Sequence, residues 1–305
     1  MSRYLALAQI SLALAVWTLT LLGLGAGWEP LVSWLYLFAW WPYLLLGDGL
    51  LLLLTGGSWL KNRPWEFLRL AFWSVTAWLV FEAFNLILLN WRYVGMQPQV
   101  WLRWPGYALA FATVLPGIMI TAQVLAVLGA WRGARGRPLA LGHWQPGAIL
   151  VGSACLVLPL LLPHYAFPLI WLGFIFLLDP INDRLRGASL IRRWARGDRQ
   201  EVLCLITAGL ICGVWWELWN YPARAKWIYT LPAFNFWNIF EMPLLGYLGF
   251  LPFALECAVI YNFFRALEAR YLTTPRRRLI SLLLHLTFWA VMFAAIDQWT
   301  VASLR

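Results

Sequence analysis

The chain has 305 residues, 62% of them hydrophobic and only 12% charged, with a mean hydropathy of +0.70. Soluble domains carry roughly 45–50% apolar and about 25% charged residues, so a soluble fold is excluded and lipid is the solvent that fits. The net charge of +10 would suggest nucleic acid in a soluble protein, but here the basic residues lie in loops between apolar runs, which points away from that partner.

A membrane-spanning helix needs about 20 mostly apolar residues. In chain order the apolar runs predict nine spans, at 4–25, 34–55, 66–90, 106–130, 147–163, 166–180, 201–221, 243–265 and 279–300. The first follows Arg3 in the manner of a signal peptide, but its run is long for one and it is read as a retained helix. The fifth and sixth are short and divided by Pro163, His164 and Pro168, so one broken or re-entrant element is the alternative to two helices.

The loops orient the spans. Arg3, Lys61, Arg63, the 132–137 arginines and the groups at 184–199 and 265–278 fall on one side, 17 basic residues against 5 on the other. The positive-inside rule then predicts a cytoplasmic N-terminus and a periplasmic C-terminus in a bacterial inner membrane. Trp91, Tyr93, Trp101, Trp104, Trp227, Tyr229 and Trp237 fall in the outer loops, where aromatic belts form.

An internal repeat follows from shifting the chain by 135 residues. Asp48 falls on Asp183, Trp59 on Trp194 and Glu66 on Glu201. Phe81-Glu82-Ala83-Phe84-Asn85 falls on Trp216-Glu217-Leu218-Trp219-Asn220, and one more residue of offset puts Trp91 and Tyr93 on Trp227 and Tyr229. Four spans per copy, an even number, predict two parallel units related by an axis along the membrane normal. The expected organisation is an all-α polytopic bundle: a first four-helix repeat over 1–131, a basic linker over 132–145, a second repeat over 146–265 and a C-terminal transmembrane helix over 266–305.

Acids inside a membrane cost of order 2–3 kcal/mol or more each, and need partners or a wet cavity. Glu82 and Glu217 each lie three residues before an asparagine, Asn85 and Asn220, on the same helix face. Each stands 16 residues after Glu66 or Glu201, roughly 24 Å along a helix at 1.5 Å per residue. The second copy adds Trp216, Trp219, Trp227 and Tyr229 around Glu217, with Glu241 and Glu256 further on. Position 120, aligned with Glu256, is Ile120. Carboxyl groups walled by aromatic rings suit acid–base chemistry and stabilisation of a positive charge. The plainer alternative is a pair of structural Glu–Asn clamps. Asp48, Asp179 and Asp183 lie at inner helix ends, where ion pairs with Arg184 and Arg186 or an interfacial position are expected. Cys155, Cys204, Cys212 and Cys257 sit in apolar runs without a CxxC, and His143, His164 and His285 lie far apart. The residues therefore predict no metal site and no cofactor.

The stretch from Trp216 to Asn220, the run Ile239-Phe240-Glu241-Met242-Pro243-Leu244-Leu245-Gly246-Tyr247, and Pro252 to Glu256 resemble an uncharacterised bacterial family of polytopic membrane proteins. That resemblance implies a fold and no activity. More distantly, the small helical repeats with Trp-Glu pairs resemble the membrane lycopene cyclases and related carotenoid-modifying enzymes. That likeness implies metal-independent protonation of an isoprenoid, with Glu217, Glu241 and Glu256 as its acids. It departs after Pro252, where Phe253-Ala254-Leu255-Glu256 carries one acid and the cyclases carry adjacent ones.

Three functions are compatible with these residues. One is a metal-independent membrane enzyme acting by acid–base chemistry on an isoprenoid or other lipid. Its catalytic candidates are Glu217, Glu241 and Glu256; Glu82, Asn85, Asn220, Trp216, Trp219, Trp227 and Tyr229 are its substrate-binding candidates. The others are a transporter or channel with its path between the repeats, and a non-catalytic subunit or lipid-binding scaffold. Membrane lipids are the expected partners in each case, with an apolar isoprenoid ligand in the first.

Overall fold

In lipid every backbone polar group must be satisfied inside its own segment, so the long apolar runs become helices. A computed structural model describes residues 2–233 and 236–302. In chain order, α1 (Ser2–Ala26) and α2 (Leu35–Thr55) form a hairpin, the short α3 (Trp59–Asn62) leads into α4 (Pro64–Leu88), and strand β1 (Trp91–Val94) follows. Next come α5 (Val100–Phe111), α6 (Val114–Val127), α7 (Trp144–Leu161), α8 (Pro163–Ala166) and α9 (Ile170–Arg184). The chain ends with α10 (Leu190–Ala195), α11 (Gln200–Asn220), β2 (Lys226–Tyr229), β3 (Asn238–Ile239), β4 (Met242–Pro243), α12 (Phe250–Tyr271) and α13 (Pro275–Trp299). Two 3₁₀ segments, Phe167–Leu169 and Leu244–Gly249, lead into α9 and α12.

Among the described residues nine helical segments are long and apolar enough to cross a membrane, and their ends lie within six residues of the sequence expectation. The fold is the all-α polytopic bundle that the sequence predicts. The fifth and sixth spans are separate helices: α7 packs along α9, and a Cβ built on Gly152 would stand 2.3 Å from the Leu177 nitrogen. Small residues permit such backbone approach between membrane helices. Gly152→Ala should therefore push the hairpin apart and destabilise by about 1–3 kcal/mol. Thermal unfolding in detergent reads this as a lowered Tm; an unchanged Tm refutes the close approach.

The two halves meet through α2, α4, α6, α11 and α12, whose buried faces form the core. By contrast, α1, α7 and α13 bury only 17% of their apolar windows. Most of their leucines and valines point outward, as lipid-facing helices require, while Leu156 on α7 turns inward against Gly173. On α1 the buried residues are Ala6, Ala13, Thr20 and Gly23, a seam of small side chains that lets α2 approach.

Because α4 and α11 both run from a short helix to a strand, α3 and α10 mark one end of the bundle and the strands the other. At the α3–α10 end two of the three aspartates, Asp48 and Asp179, do not behave as surface ion-pair partners. Asp48 and Asp179 are fully buried. Asp48 accepts the Leu60 N–H of α3 at 3.1 Å, and Asp179 accepts the Leu190 and Ile191 N–H groups of α10 at 2.8 and 3.0 Å. A carboxylate facing free N–H groups at a helix start is stabilised by them. Ser58 and Ser189 cap the same two helices. Asp48 thus has its counterpart in Asp179, four residues before the Asp183 that the uniform shift assigns. Asp183 bonds Arg192 and Gln145, not Arg184 or Arg186.

Candidate functional site

Of the outer-loop aromatics predicted from the sequence, Trp91, Tyr93, Trp227 and Tyr229 are strand residues, whereas Trp101 and Trp104 lie on α5. β1 and β2 pair antiparallel, with Trp91 opposite Tyr229 and Tyr93 opposite Trp227, so a two-stranded ribbon ties the two halves together. Each strand is held by an asparagine in the last turn of the preceding helix. Asn85 donates to the Trp91 carbonyl at 2.9 Å and accepts the Trp91 N–H at 3.2 Å. Asn220 does the same for Trp227, at 2.8 and 3.0 Å. An amide with a donor and an acceptor satisfies both polar groups of one strand residue, which a strand edge leaves open.

One turn earlier on each helix a glutamate receives the ribbon's side chains. Glu82 Oε1 accepts three bonds: from Trp78 at 2.9 Å, Trp91 at 3.1 Å and the Tyr93 hydroxyl at 2.5 Å. Glu217 Oε1 accepts the Tyr229 hydroxyl at 2.7 Å, and that oxygen in turn accepts the Trp227 indole N–H at 2.9 Å. Burial first, and the neighbouring carboxylate second, push the Tyr93 and Tyr229 phenols well above their usual range, so both remain donors. Glu82 and Glu217 differ in what surrounds the second oxygen. Both Oε2 atoms are buried without a partner among the described residues, but only Glu217 borders open space.

That space is a cavity of about 560 Å³ beneath the ribbon. Both halves wall it: Trp34 and Tyr36 before and on α2, Trp78 on α4, Trp91 and Tyr93 on β1, Trp171 on α9, Trp216 on α11, Trp227 and Tyr229 on β2, and Phe250 and Phe253 on α12. Among the described residues its only carboxyl is Glu217. Three lining residues are exposed on the outside of the bundle: Pro168, Leu245 and Leu248. All three are apolar, and all belong to the 3₁₀ segments within the sixth and eighth spans. The lining residues exposed on the outside are thus apolar, while the polar Gln97 and Lys226 at the strand side are half-buried.

The structure sorts the residues singled out from sequence. Glu217, Trp216, Trp227 and Tyr229 line the cavity. Glu82, Asn85 and Asn220 stand behind its wall as clamps, and Trp219 packs on Trp215 and Trp17 instead. Glu256 lies one turn beyond Phe253, fully buried, and accepts the Phe174 N–H of α9 at 2.9 Å. It joins two helices and does not reach the cavity. Glu241 is half-buried and bonds Lys226 at 2.5 Å. The expected triad of acids is therefore not assembled; one of the three faces the cavity.

Asn90, Trp34, Tyr36, Trp78, Trp171 and Arg103 also line the cavity without having been identified from sequence. For Asn90 a signal existed, since it precedes Trp91 as Lys226 precedes Trp227, and both flank the cavity. Among the described residues no group of three or more His, Cys, Asp or Glu side chains is placed to hold a metal ion, and all four cysteines are buried and free. No family model, curated protein or solved structure matches the chain.

Proposed function

We propose that this membrane protein is an enzyme that takes an apolar, isoprenoid-like lipid sideways from the bilayer into the aromatic cavity and exchanges a proton with it through Glu217. The observation that carries the reading is the Oε2 atom of Glu217, buried and unpartnered on the wall of an otherwise aromatic cavity. Its other oxygen is fixed by Tyr229, itself fixed by Trp227; this holds the carboxyl in one orientation, as proton transfer requires. The rings offer large apolar area and π faces that tolerate positive charge. The volume suits a small lipid or the head portion of a longer one, since ligand pockets fall in the range of about 300–1,000 Å³. The distribution of basic loops supports a bacterial inner membrane with the N-terminus in the cytoplasm.

The test is to isolate the protein with its surrounding lipid in polymer nanodiscs and extract it for mass spectrometry. An apolar species enriched over the bulk membrane is expected. Filling the cavity with Ala110→Trp should abolish the enrichment. Glu217→Gln should keep the ligand bound but shift the extract from product to substrate. An extract indistinguishable from bulk lipid refutes the binding reading. Identical extracts from wild type and Glu217→Gln refute the chemical one.

A further inference from the structure

The two buried, unpartnered side-chain polar atoms on the cavity wall are both acceptors. The Tyr93, Tyr107, Tyr229, Trp78, Trp91 and Trp227 donors are each committed to a protein acceptor. Two acceptors are not committed. Asn90 Oδ1 and Glu217 Oε2 are buried, with their residues 2% and 0% exposed, and neither has a partner among the described residues. Both residues line the cavity. The ribbon brings them to the same region: the Asn90 carbonyl accepts the Thr230 N–H at 2.8 Å, and Thr230 follows the Tyr229 that holds Glu217.

The cations on the wall are equally committed. Arg103 forms a two-pronged pair with Asp297, at 2.7 Å on both arms, and donates to the Gln97 and Pro98 carbonyls at 2.6 and 2.8 Å. Lys226 bonds Glu241 at 2.5 Å and the Tyr221 carbonyl at 3.2 Å. Among the described lining residues an anionic head group would meet no cation outside an ion pair, and it would face a carboxyl. A bare hydrocarbon would leave two buried acceptors unsatisfied, at the desolvation cost of each.

We infer that the natural ligand is a lipid whose polar end donates hydrogen bonds and bears no negative charge: a hydroxyl or a protonated amine, set between Asn90 and Glu217. Its apolar chain lies among the rings and leaves past Pro168, Leu245 and Leu248. A donor held on Glu217 Oε2 also gives that carboxyl the role of proton acceptor. The inference rests on the cavity being a lipid site, and it narrows the lipid.

Competition against tritiated geranylgeraniol on the full protein in nanodiscs tests it. Geranylgeraniol and geranylgeranylamine should displace the label. Geranylgeranyl monophosphate and the donor-free hydrocarbon squalene should be at least about ten-fold weaker, which is the effect of one net hydrogen bond of roughly 1.4 kcal/mol. Asn90→Leu should weaken the alcohol by about the same factor and leave squalene unchanged. An amine tighter than the alcohol identifies an ionised Glu217 as the dominant acceptor; an alcohol equal to it gives Asn90 that part. Monophosphate or squalene competing as well as the alcohol overturns the inference while leaving the lipid cavity standing. Absence of saturable binding by every probe overturns both.

Discussion

Replacing Arg103 by methionine is expected to destabilise the protein by about 3–5 kcal/mol, the cost of leaving a buried charge without its partner. The Arg103 side chain is 4% exposed and that of Asp297 16%. The guanidinium satisfies both carboxylate oxygens and two carbonyls of the turn after β1. Asp297 would keep only the Trp104 and Tyr107 donors, each at 2.9 Å. The consequence reaches the ribbon, since Asp297 lies on α13 and the Tyr93 N–H bonds the Thr300 carbonyl just beyond that helix at 2.9 Å. Thermal unfolding in detergent should give a large drop in Tm, with proteolysis starting in the linker before α13. Asp297→Asn should also be strongly destabilising, because it leaves the buried Arg103 guanidinium without its countercharge, although the amide oxygen can still accept one of its hydrogen bonds. Arg103→Met with Asp297→Leu should recover most of the loss, since two apolar groups of similar volume often replace a buried ion pair without penalty. A double variant as unstable as Arg103→Met alone contradicts the pairing.

Asn85→Ala is the second large effect. It removes two hydrogen bonds and strands the N–H and carbonyl of Trp91, both in a buried setting. Each orphaned group costs roughly 1–3 kcal/mol, so a loss of about 2–4 kcal/mol is expected after partial hydration. Asn85→Asp keeps one of the two bonds and should fall between. The equivalent Asn220→Ala should be milder, because its bonds to Trp227 are only partly buried. Hydrogen exchange at the ribbon amides separates the two: Asn85→Ala should deprotect β1 first and Asn220→Ala β2. Equal deprotection of both strands by either variant contradicts independent clamps.

Spans were legible in the sequence because lipid imposes one rule on every one of them, a long apolar run. The importance of Glu82 and Glu217 was legible for a related reason: an acid in such a run needs an explanation. What could not be read was rotation and depth. Glu217 and Glu256 look alike as intramembrane acids, but one faces open space and the other the backbone of α9. Glu82 and Glu217 look like equivalents, but three donors converge on one and a single tyrosine on the other. A one-dimensional shift also hides small length changes. The segment from Ser189 to Glu201 is four residues longer than that from Ser58 to Glu66, so a constant offset that matches Glu66 to Glu201 misplaces Asp48. Wall residues such as Trp78 and Trp171 come from helices distant in sequence, and their meeting is a tertiary fact.

The ribbon closes the end of the cavity, and it is fastened on both sides by an asparagine and a glutamate. Lifting it toward water means breaking a set of bonds in each half at once, whereas the proposed side mouth is bordered by Pro168 and by Leu245 and Leu248, whose side chains need only change rotamer. For a ligand using that mouth, the concentration that governs occupancy is its mole fraction in the bilayer. Half-saturation should shift in proportion when inert phospholipid is added at constant ligand, and should ignore dilution of the aqueous phase. Competition among membrane lipids, rather than supply from the aqueous phase on either side, then sets how often the site is filled.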